Sequence, residues 1–328
     1  MSEGPTGSVR TQGHTTPGPL ARLSQLAMSP LLRLSLLALA LLFLALVLRG
    51  QWRELLLYRP VLRLWPLLGS YALLFPAMLL EVWLWRRLLT ALGSPLPLRR
   101  ASGIWFSSNL VRYVPGNVWQ FLGMMELGAQ SGIRRSTVLL SILLHQVLSN
   151  LAGLCIGAYA IGYSELGGSG WIPAAAAGFV AALLFSPWAL PRLLRLLNRA
   201  VGGADERISL TPRLVVVLFC GYCLYWLIAG GAFWLMSTAL FASSPPGALA
   251  WASAYAAAYV IGYLSLLTPS GLGVREGVLA LLLAPLLAGA PGAVPALAAR
   301  VWATVGEAVA SAVAVAADRR FLLRARPH

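Results

Sequence analysis

Lysine is absent from this chain of 328 residues, and acidic residues are few. All 25 basic residues are arginine, and the 10 acidic residues include only two aspartates, Asp205 and Asp318. A Walker A loop holds nucleotide phosphates with a lysine, so the chain has no such loop of its own. Schiff-base chemistry is excluded for the same reason. The scarcity of carboxylates also argues against a catalytic metal site, and we expect no metal or other cofactor.

Cysteine is scarce as well, and its three residues all fall within apolar segments: Cys155, Cys220 and Cys223. The CxxC spacing of the last two places both on one face of a helix. We interpret them as small packing residues, with redox or metal chemistry as the alternative. No disulfide framework is implied.

Apolar residues dominate the composition, with 59% hydrophobic and 11% charged. Soluble domains carry about 25% charged residues. Apolar stretches of about 20 residues are long enough to cross a hydrocarbon core of about 30 Å. The sequence therefore predicts an all-α polytopic membrane protein. The net charge of +15 comes from arginines at helix ends and in short loops, which favours contact with anionic lipid over nucleic acid.

The chain divides into a tail, one membrane domain and a second tail. Residues 1–27 are rich in Gly, Pro, Ser and Thr and are predicted to be disordered. We expect a single transmembrane domain over 28–320 and a basic C-terminal tail over 321–328. The run 31–48 is interpreted as a retained first helix, because no small-residue cleavage site follows it. The further segments are 64–90, 101–128, 137–162, 172–190, 213–241, 249–288 and 296–317.

Arginine placement predicts the orientation, because cytoplasmic loops carry the excess of basic residues. Loops 86–100 and 191–213, the connection with Arg134 and Arg135, and the C-terminal tail are basic. We therefore expect the cytoplasmic (inner) membrane as the location, with both termini in the cytoplasm. The loops without basic residues, expected outside, are 163–171, 242–248 and 289–295. Loop 49–63 carries four arginines on the outer side, and we interpret 52–65 as an interfacial helix.

Two segments are broken by Pro and Gly in matching ways. Segment 101–128 breaks at Pro115 and Gly116, and segment 249–288 breaks over Pro269, Gly271 and Gly273. The first has basic flanks at both ends and the second uncharged flanks at both ends. Each is predicted to be a re-entrant helical hairpin, one from each side, framed by two spans. This order of span, hairpin and span is an inverted repeat, whose breaks point to a transporter-type binding site. The alternative makes 249–267 and 276–288 full spans, but the second is short for a crossing.

Ionisable groups at membrane depth are costly and are therefore candidates for function. Arg112 precedes the first break, where a new helix starting at Asn117 would offer N–H groups to an anion. Asn109 belongs to the same stretch and joins Arg112 and Asn117 as a substrate-binding candidate. Arg112 could instead snorkel or pair with Glu126.

The second break repeats this chemistry. Arg275 and Glu276 follow the glycine loop and open a helix, so Arg275 is a candidate for an anionic headgroup. Glu276 is a further binding candidate, although a carboxylate in the first turn also caps a helix. The glycines are not a dinucleotide fingerprint, since no strand precedes them.

The last span and the span after the first hairpin supply the remaining candidates. Arg300, Thr304 and Glu307 share one helix face, as a site or as a structural ion pair. His145 lies with Ser149 and Asn150 at the corresponding place in the first half, for coupling or for packing. Glu126, His145 and Glu307 are grouped as coupling or ion-pair residues. Glu81 is interpreted as an interfacial anchor, and the aromatic belt is expected to contain Trp83, Trp85, Trp105, Trp119 and Trp171.

The motifs NLVRYVPGNVWQ (109–120) and GLGVREGVL (271–279) resemble the two signatures of the lysylphosphatidylglycerol synthase transmembrane region family. The resemblance covers about residues 30–320 and implies movement or binding of an anionic lipid or a polyprenyl-linked glycan. It does not imply aminoacyl transfer, because that enzyme's transferase is a separate soluble domain. Relatives often carry a Glu-Arg pair where this chain has His145 and Gln146.

Three functions remain open from the sequence. The first is translocation or binding of an anionic phospholipid or a polyprenyl-phosphate-linked glycan. The second is an integral membrane glycosyl or lipid transferase, which needs a general base and usually a metal held by carboxylates. The third is a non-catalytic partner of a cell-envelope enzyme. A homo-oligomer is compatible with each of them.

Overall fold

A computed structural model describes residues 62–109, 119–163, 210–241, 247–264, 273–287 and 293–317, with isolated helical positions between 175 and 196. The expectations for the two tails, for the run 31–48 and for the segment 172–190 lie outside the described residues. The same holds for the belt residue Trp171 and for six of the candidate site residues: Arg112, Pro115, Gly116, Asn117, Pro269 and Gly271.

Every regular element in the described ranges is a helix. In chain order these are α1 (Leu64–Ala91), α2 (Leu98–Asn109), α3 (Trp119–Ala129), α4 (Arg135–Tyr163), α5 (Pro212–Leu240), α6 (Ala248–Leu264), α7 (Val274–Leu283) and α8 (Ala293–Ala317). A 3₁₀ turn over Ala284–Leu286 extends α7. Of the described helices, α1, α4, α5 and α8 are long and apolar enough to cross a membrane. The prediction of an all-α polytopic membrane protein is confirmed.

The two segments predicted to be broken are pairs of short helices. Helices α2 and α3 have 12 and 11 residues, and α7 has 10. At 1.5 Å per residue these reach about 15–18 Å, well short of a hydrocarbon core of about 30 Å. Within each pair the helices contact each other. Helix α6 is longer, with 17 residues. Both the re-entrant hairpin and the alternative of full spans over 249–267 and 276–288 stay predictions.

The helix contacts follow a two-fold pattern. Each helix of the first half has a counterpart in the second half: α1 and α5, α2 and α6, α3 and α7, and α4 and α8. When every helix is replaced by its counterpart, each pair of helices in substantial contact becomes another pair that is also in contact. Helix α4 packs against α6, for example, as α8 packs against α2. Helix α1 packs against its own counterpart, α5, so the two halves meet along these spans. Each half has the predicted order of span, two short helices and span; opposite orientation of the halves in the membrane stays a prediction.

Small residues bring the second pair of short helices close to its neighbours. A Cβ atom at Gly157 of α4 would lie 2.8 Å from the Ala257 Cα atom of α6. At Gly230 of α5 it would lie 2.5 Å from the Ala252 Cα atom of the same helix α6. Such small residues allow helix backbones to approach closely in membranes, where van der Waals packing drives association. Helix α6 is therefore held tightly between α4 and α5.

Two tryptophans expected in the interfacial belt lie in the core instead. Trp85 is fully buried and donates its indole N–H to Ser141 Oγ at 3.0 Å. Trp105 is buried, with ring centroids 5.4 Å from Trp85 and 4.8 Å from His145. The belt interpretation is wrong for both because each indole packs toward the inside of the bundle. Trp83, by contrast, is exposed.

Candidate functional site

A polar cavity lies at the centre of the bundle, and all eight described helices contribute to its wall. Its volume is about 60 Å³. A buried water needs about 10–15 Å³ measured in this way, so the polar cavity has room for a few waters or one phosphate group. The charged side chains and the histidine in its wall are Glu81, His145, Arg275, Arg300 and Glu307.

Arg275 lies in the first turn of α7 and is held by two aromatic rings of α6. Its guanidinium carbon lies 4.5 Å from the Tyr259 ring centroid and 5.1 Å from that of Tyr255. Its Nη2 also donates a hydrogen bond to Tyr255 Oη at 3.0 Å. Cation–π contacts are stronger where water is excluded, and Arg275 is buried. The two tyrosines therefore fix where this guanidinium points.

A glycine on α6 makes room for Arg275. A Cβ atom at Gly262 would lie 2.7 Å from the Arg275 Cβ and 3.2 Å from its Cα. Real Cβ atoms are essentially never found this close, so α6 and α7 would have to separate. Gly262 thus sets the position of the arginine relative to its tyrosine partners.

Glu276 connects the start of α7 with Arg300 of α8. Its Oε2 accepts a hydrogen bond from the Gly273 N–H at 2.7 Å, which caps the helix. Gly273 has φ +83°, a conformation that glycine adopts without a steric penalty. The other oxygen, Oε1, lies 3.8 Å from Arg300 Nη1, too far for a hydrogen bond. Glu276 is buried, and Arg300, which it approaches, lines the polar cavity.

His145 of α4 is buried, with a partner beside each ring nitrogen. Nδ1 lies 2.8 Å from the hydroxyl of Tyr222 on α5. Nε2 lies 3.7 Å from Glu81 Oε1 on α1. The edge-to-face contact with Trp105 closes a third side. The histidine is thus fixed by three helices while it still lines the polar cavity.

Amide side chains complete the polar wall. Gln146 Nε2 donates to Tyr263 Oη at 2.8 Å, joining α4 to α6. Gln120 of α3 donates to Asn109 Oδ1 at the end of α2, joining the two helices of the first broken segment. Asn109 lines a smaller extension of the polar cavity, about 30 Å³ in volume, together with Arg275 and Glu307. The first broken segment therefore contributes to the same polar region as the second.

Positive and negative side chains both occur among the described residues in the wall of the polar cavity. Two arginines, Arg275 and Arg300, face two carboxylates, Glu81 and Glu307, and the histidine adds a positive charge only when protonated. Buried charges require partners because their transfer from water is costly. Glu276, 3.8 Å from Arg300, adds a third carboxylate, so an anion that enters this cavity increases the excess of negative charge around His145.

An apolar groove lies beside the polar cavity, between α1, α2 and α8. It has a volume of about 550 Å³ and is lined by Phe75, Met78, Leu79, Leu98, Arg99, Ser102, Phe106, Val309, Ala310, Val313, Ala314 and Ala317. Met78 and Phe106 also line the extension of the polar cavity that contains Arg275 and Glu307. Only these two side chains are shared, so they form the partition between the polar and apolar spaces.

The structure brings together most of the described residues that were selected from the sequence. Arg275, Arg300, His145 and Glu307 line the polar cavity, Asn109 lines its extension, and Gly273 and Glu276 shape the start of α7. Glu126 lies elsewhere. Its Oε2 accepts a hydrogen bond from Arg135 Nη2 at 2.7 Å in a largely exposed ion pair. Pairing with Arg112 lies outside the described residues.

Several residues of the site were missed or misinterpreted from the sequence. Glu81 was assigned to interfacial anchoring, yet it lines the polar cavity beside His145. Tyr255, Tyr259 and Tyr263 were not selected, although their spacing of four residues places them on one face of α6. That periodicity was the available signal. Gln120 carries no comparable signal.

The helices and the buried polar cavity define a multi-pass membrane protein with a charged site inside its bundle. The chain belongs to the family described as Lysylphosphatidylglycerol synthase TM region, which matches residues 31–313. The resemblance inferred from the two motifs is confirmed. Searches of curated proteins and of solved structures gave no match.

Proposed function

We propose that this protein binds the phosphate of an anionic phospholipid or of a polyprenyl-phosphate-linked glycan and moves the lipid across the membrane. The observation that carries the proposal is the position of Arg275 and Arg300 in the wall of one buried cavity. Guanidinium groups bind phosphate oxygens with charge-assisted and bidentate hydrogen bonds. Membership of a family of membrane domains often linked to lipid transport supports it.

The size of the polar cavity is compatible with a phosphate group beside the arginines. Its volume of about 60 Å³ has room for a few waters or one phosphate. A larger headgroup would need the bundle to open around it. We propose binding and movement of the lipid, with an integral membrane glycosyl or lipid transferase as the alternative.

The apolar groove supplies a place for a hydrocarbon chain. Its wall is almost entirely hydrophobic, and Arg99 is the charged residue among those that line it. Because Met78 and Phe106 separate it from the polar region, a lipid with its phosphate at Arg275 can extend its tail past them. A shift of these two side chains would join the spaces.

The two-fold pattern of helix contacts supports movement between two states. The groove lies between α1, α2 and α8, and the counterparts of these helices are α5, α6 and α4. The counterpart space is closed by the contacts at Gly157 and Gly230. In an inverted repeat, the second state closes the first space and opens the counterpart. We further propose the cytoplasmic membrane as the location, with both termini inside.

Lipid movement can be tested in liposomes with the purified full chain and a trace of fluorescent phosphatidylglycerol. Dithionite added outside quenches only outer-leaflet probe, so movement appears as quenching beyond one half. We expect this signal for the wild type and a decrease of at least about tenfold for Arg275→Gln, because a hydrogen bond to a charged group contributes about 1.5–3 kcal/mol.

Arg135→Gln is the matched control, since this arginine is exposed and lies outside the polar cavity. It should move lipid as the wild type does. A wild-type protein that binds and moves neither phosphatidylglycerol nor a polyprenyl phosphate contradicts the proposal. Equal rates for Arg275→Gln and the wild type would contradict the assignment of the site.

A further inference from the structure

Among the described residues in the wall of the polar cavity, His145 is the one group that ordinarily gains or loses a proton near neutral pH. The charges of the two arginines hold phosphate in the proposed function, which assigns no task to the imidazole. Its ring nitrogens face Tyr222 Oη at 2.8 Å and Glu81 Oε1 at 3.7 Å. The polar cavity has room for a few waters, which can carry a proton to the ring.

The two partners can accommodate both protonation states of the ring. A neutral imidazole with its hydrogen on Nε2 faces the Glu81 carboxylate and accepts a hydrogen bond from the Tyr222 hydroxyl at Nδ1. The imidazolium donates from both nitrogens, so the Tyr222 hydroxyl rotates and becomes the acceptor. The 3.7 Å separation from Glu81 would then need to shorten by less than 1 Å to form a hydrogen bond.

The surrounding charges determine which state is favoured. Facing this region are Glu81 of α1, Tyr222 of α5, Tyr259 and Tyr263 of α6, Arg275 of α7, and Arg300 and Glu307 of α8. Glu276 of α7 lies 3.8 Å from Arg300, so with neutral His145 the described groups comprise two arginines and three carboxylates. A phosphate that binds to the arginines adds negative charge, and negative charge nearby favours the protonated imidazole.

We propose that His145 takes up a proton when an anionic headgroup enters the polar cavity, which couples lipid movement to protons. This inference rests on the proposed function, because the headgroup is the source of the added charge. The coupling is reciprocal: a protonated His145 binds the anion more tightly by the factor by which the anion favours protonation. Lipid and proton therefore favour each other's binding in the polar cavity.

Calorimetry of the detergent-solubilised full chain can count the protons. Dioctanoyl phosphatidylglycerol is titrated in two buffers with different ionisation enthalpies, and the difference in observed heat gives the protons taken up. We expect uptake of up to about one proton per lipid, and affinity that rises up to about tenfold per pH unit as the pH falls through the range of histidine titration. His145→Gln should bind lipid with no proton uptake and an affinity independent of pH.

Tyr159→Phe is the matched control on the same helix, because Tyr159 is exposed and lies outside the polar cavity. It should take up protons as the wild type does. If His145→Gln does not fold, Glu81→Gln tests the same coupling: loss of this carboxylate should move the uptake to lower pH. Inorganic phosphate is the second probe; because it can itself take up a proton, only uptake that is lost in His145→Gln supports the inference and attributes the effect to the phosphate group.

Some outcomes would overturn the coupling and leave the proposed function intact. These are lipid binding that depends on Arg275 but occurs without proton uptake, and proton uptake that persists in His145→Gln. Absence of lipid binding, or binding unchanged by Arg275→Gln, would overturn the proposed function and the coupling with it.

Discussion

The guanidinium of Arg275 lies 4.5 Å from the centre of the Tyr259 ring, and Tyr255 accepts a hydrogen bond from it at 3.0 Å. Arg275 opens α7 and the tyrosines lie one turn apart on α6. The interaction therefore connects the two short helices of the second broken segment and fixes the direction of the arginine within the polar cavity.

The hydroxyl of Tyr255 should contribute to lipid binding by holding the Arg275 guanidinium in position. Tyr255→Phe keeps the ring and removes the hydrogen bond, which contributes about 1.5–3 kcal/mol when one partner is charged. We expect about a tenfold or larger loss of affinity for dioctanoyl phosphatidylglycerol, measured by calorimetry. Tyr159→Phe removes a hydroxyl from an exposed ring, and this variant should bind the lipid as the wild type does. Equal affinity for Tyr255→Phe and the wild type would show that the hydroxyl does not position the guanidinium.

A methyl group at Gly262 should displace Arg275. The added Cβ would lie 2.7 Å from the Arg275 Cβ, and overpacking of this kind costs about 1–3 kcal/mol. We expect Gly262→Ala to lower both the midpoint of thermal unfolding and lipid affinity. Gly277→Ala on α7 is the control, since nothing lies within 4 Å of its Cβ position. That variant should be as stable as the wild type or slightly more stable, because alanine favours a helix interior by about 1 kcal/mol.

Removal of the Glu276 charge should destabilise the bundle through Arg300. Breaking a buried ion pair costs about 3–5 kcal/mol, because one charge remains buried without its partner. We expect Glu276→Gln to unfold at lower temperature than the wild type. Glu276→Gln combined with Arg300→Gln should recover part of the loss in a double-mutant cycle. Strictly additive effects would mean that the two side chains do not interact at their separation of 3.8 Å.

Adjacent glycines on α5 offer a direct test of the close helix contact. Gly230→Ala would place Cβ 2.5 Å from the Ala252 Cα atom and 2.8 Å from its carbonyl oxygen, whereas nothing lies within 4 Å at Gly231. Because a backbone cannot yield as a side chain does, we expect Gly230→Ala to lower thermal stability in detergent markedly. Gly231→Ala should have little effect. Similar melting temperatures for both variants would contradict the close contact between α5 and α6.

Filling the apolar groove should slow lipid movement without removing phosphate binding. Ala310 lines the groove, while Ala308 on the same helix is exposed outside it. Ala310→Phe is expected to reduce fluorescent lipid movement in liposomes and to leave binding of inorganic phosphate unchanged. Ala308→Phe should behave as the wild type in both measurements. Unimpaired movement in Ala310→Phe would place the hydrocarbon chain elsewhere.

Most of the helical framework could be predicted from the sequence, because long apolar runs and Pro/Gly breaks act locally. The ends of the described long spans lie within about three residues of the predicted ones, as for α5, predicted over 213–241 and found over Pro212–Leu240. Arg275 and Arg300 could be selected because isolated charges on apolar helices have to face the inside of a bundle.

The composition of the site could be predicted only in part. Glu81 lies near the end of its span, and nothing local distinguishes an interfacial carboxylate from one that faces His145. Trp85 and Trp105 illustrate the same difficulty, since an indole suits both the membrane interface and a core in which its N–H finds an acceptor.

The sequence by itself determined that this chain crosses a membrane as helices and that two segments are broken by Pro and Gly. It also determined that few ionisable side chains fall within the apolar segments. These properties follow from hydropathy, backbone stereochemistry and the cost of burying charge, which depend on neighbouring residues along the chain. Only the tertiary structure decided that Arg275 lies against Tyr255 and Tyr259, that Glu276 lies near Arg300, and that His145 lies between Tyr222 and Glu81. Such partners come from different helices, and their pairing depends on how closely small residues such as Gly230 and Gly262 allow those helices to approach.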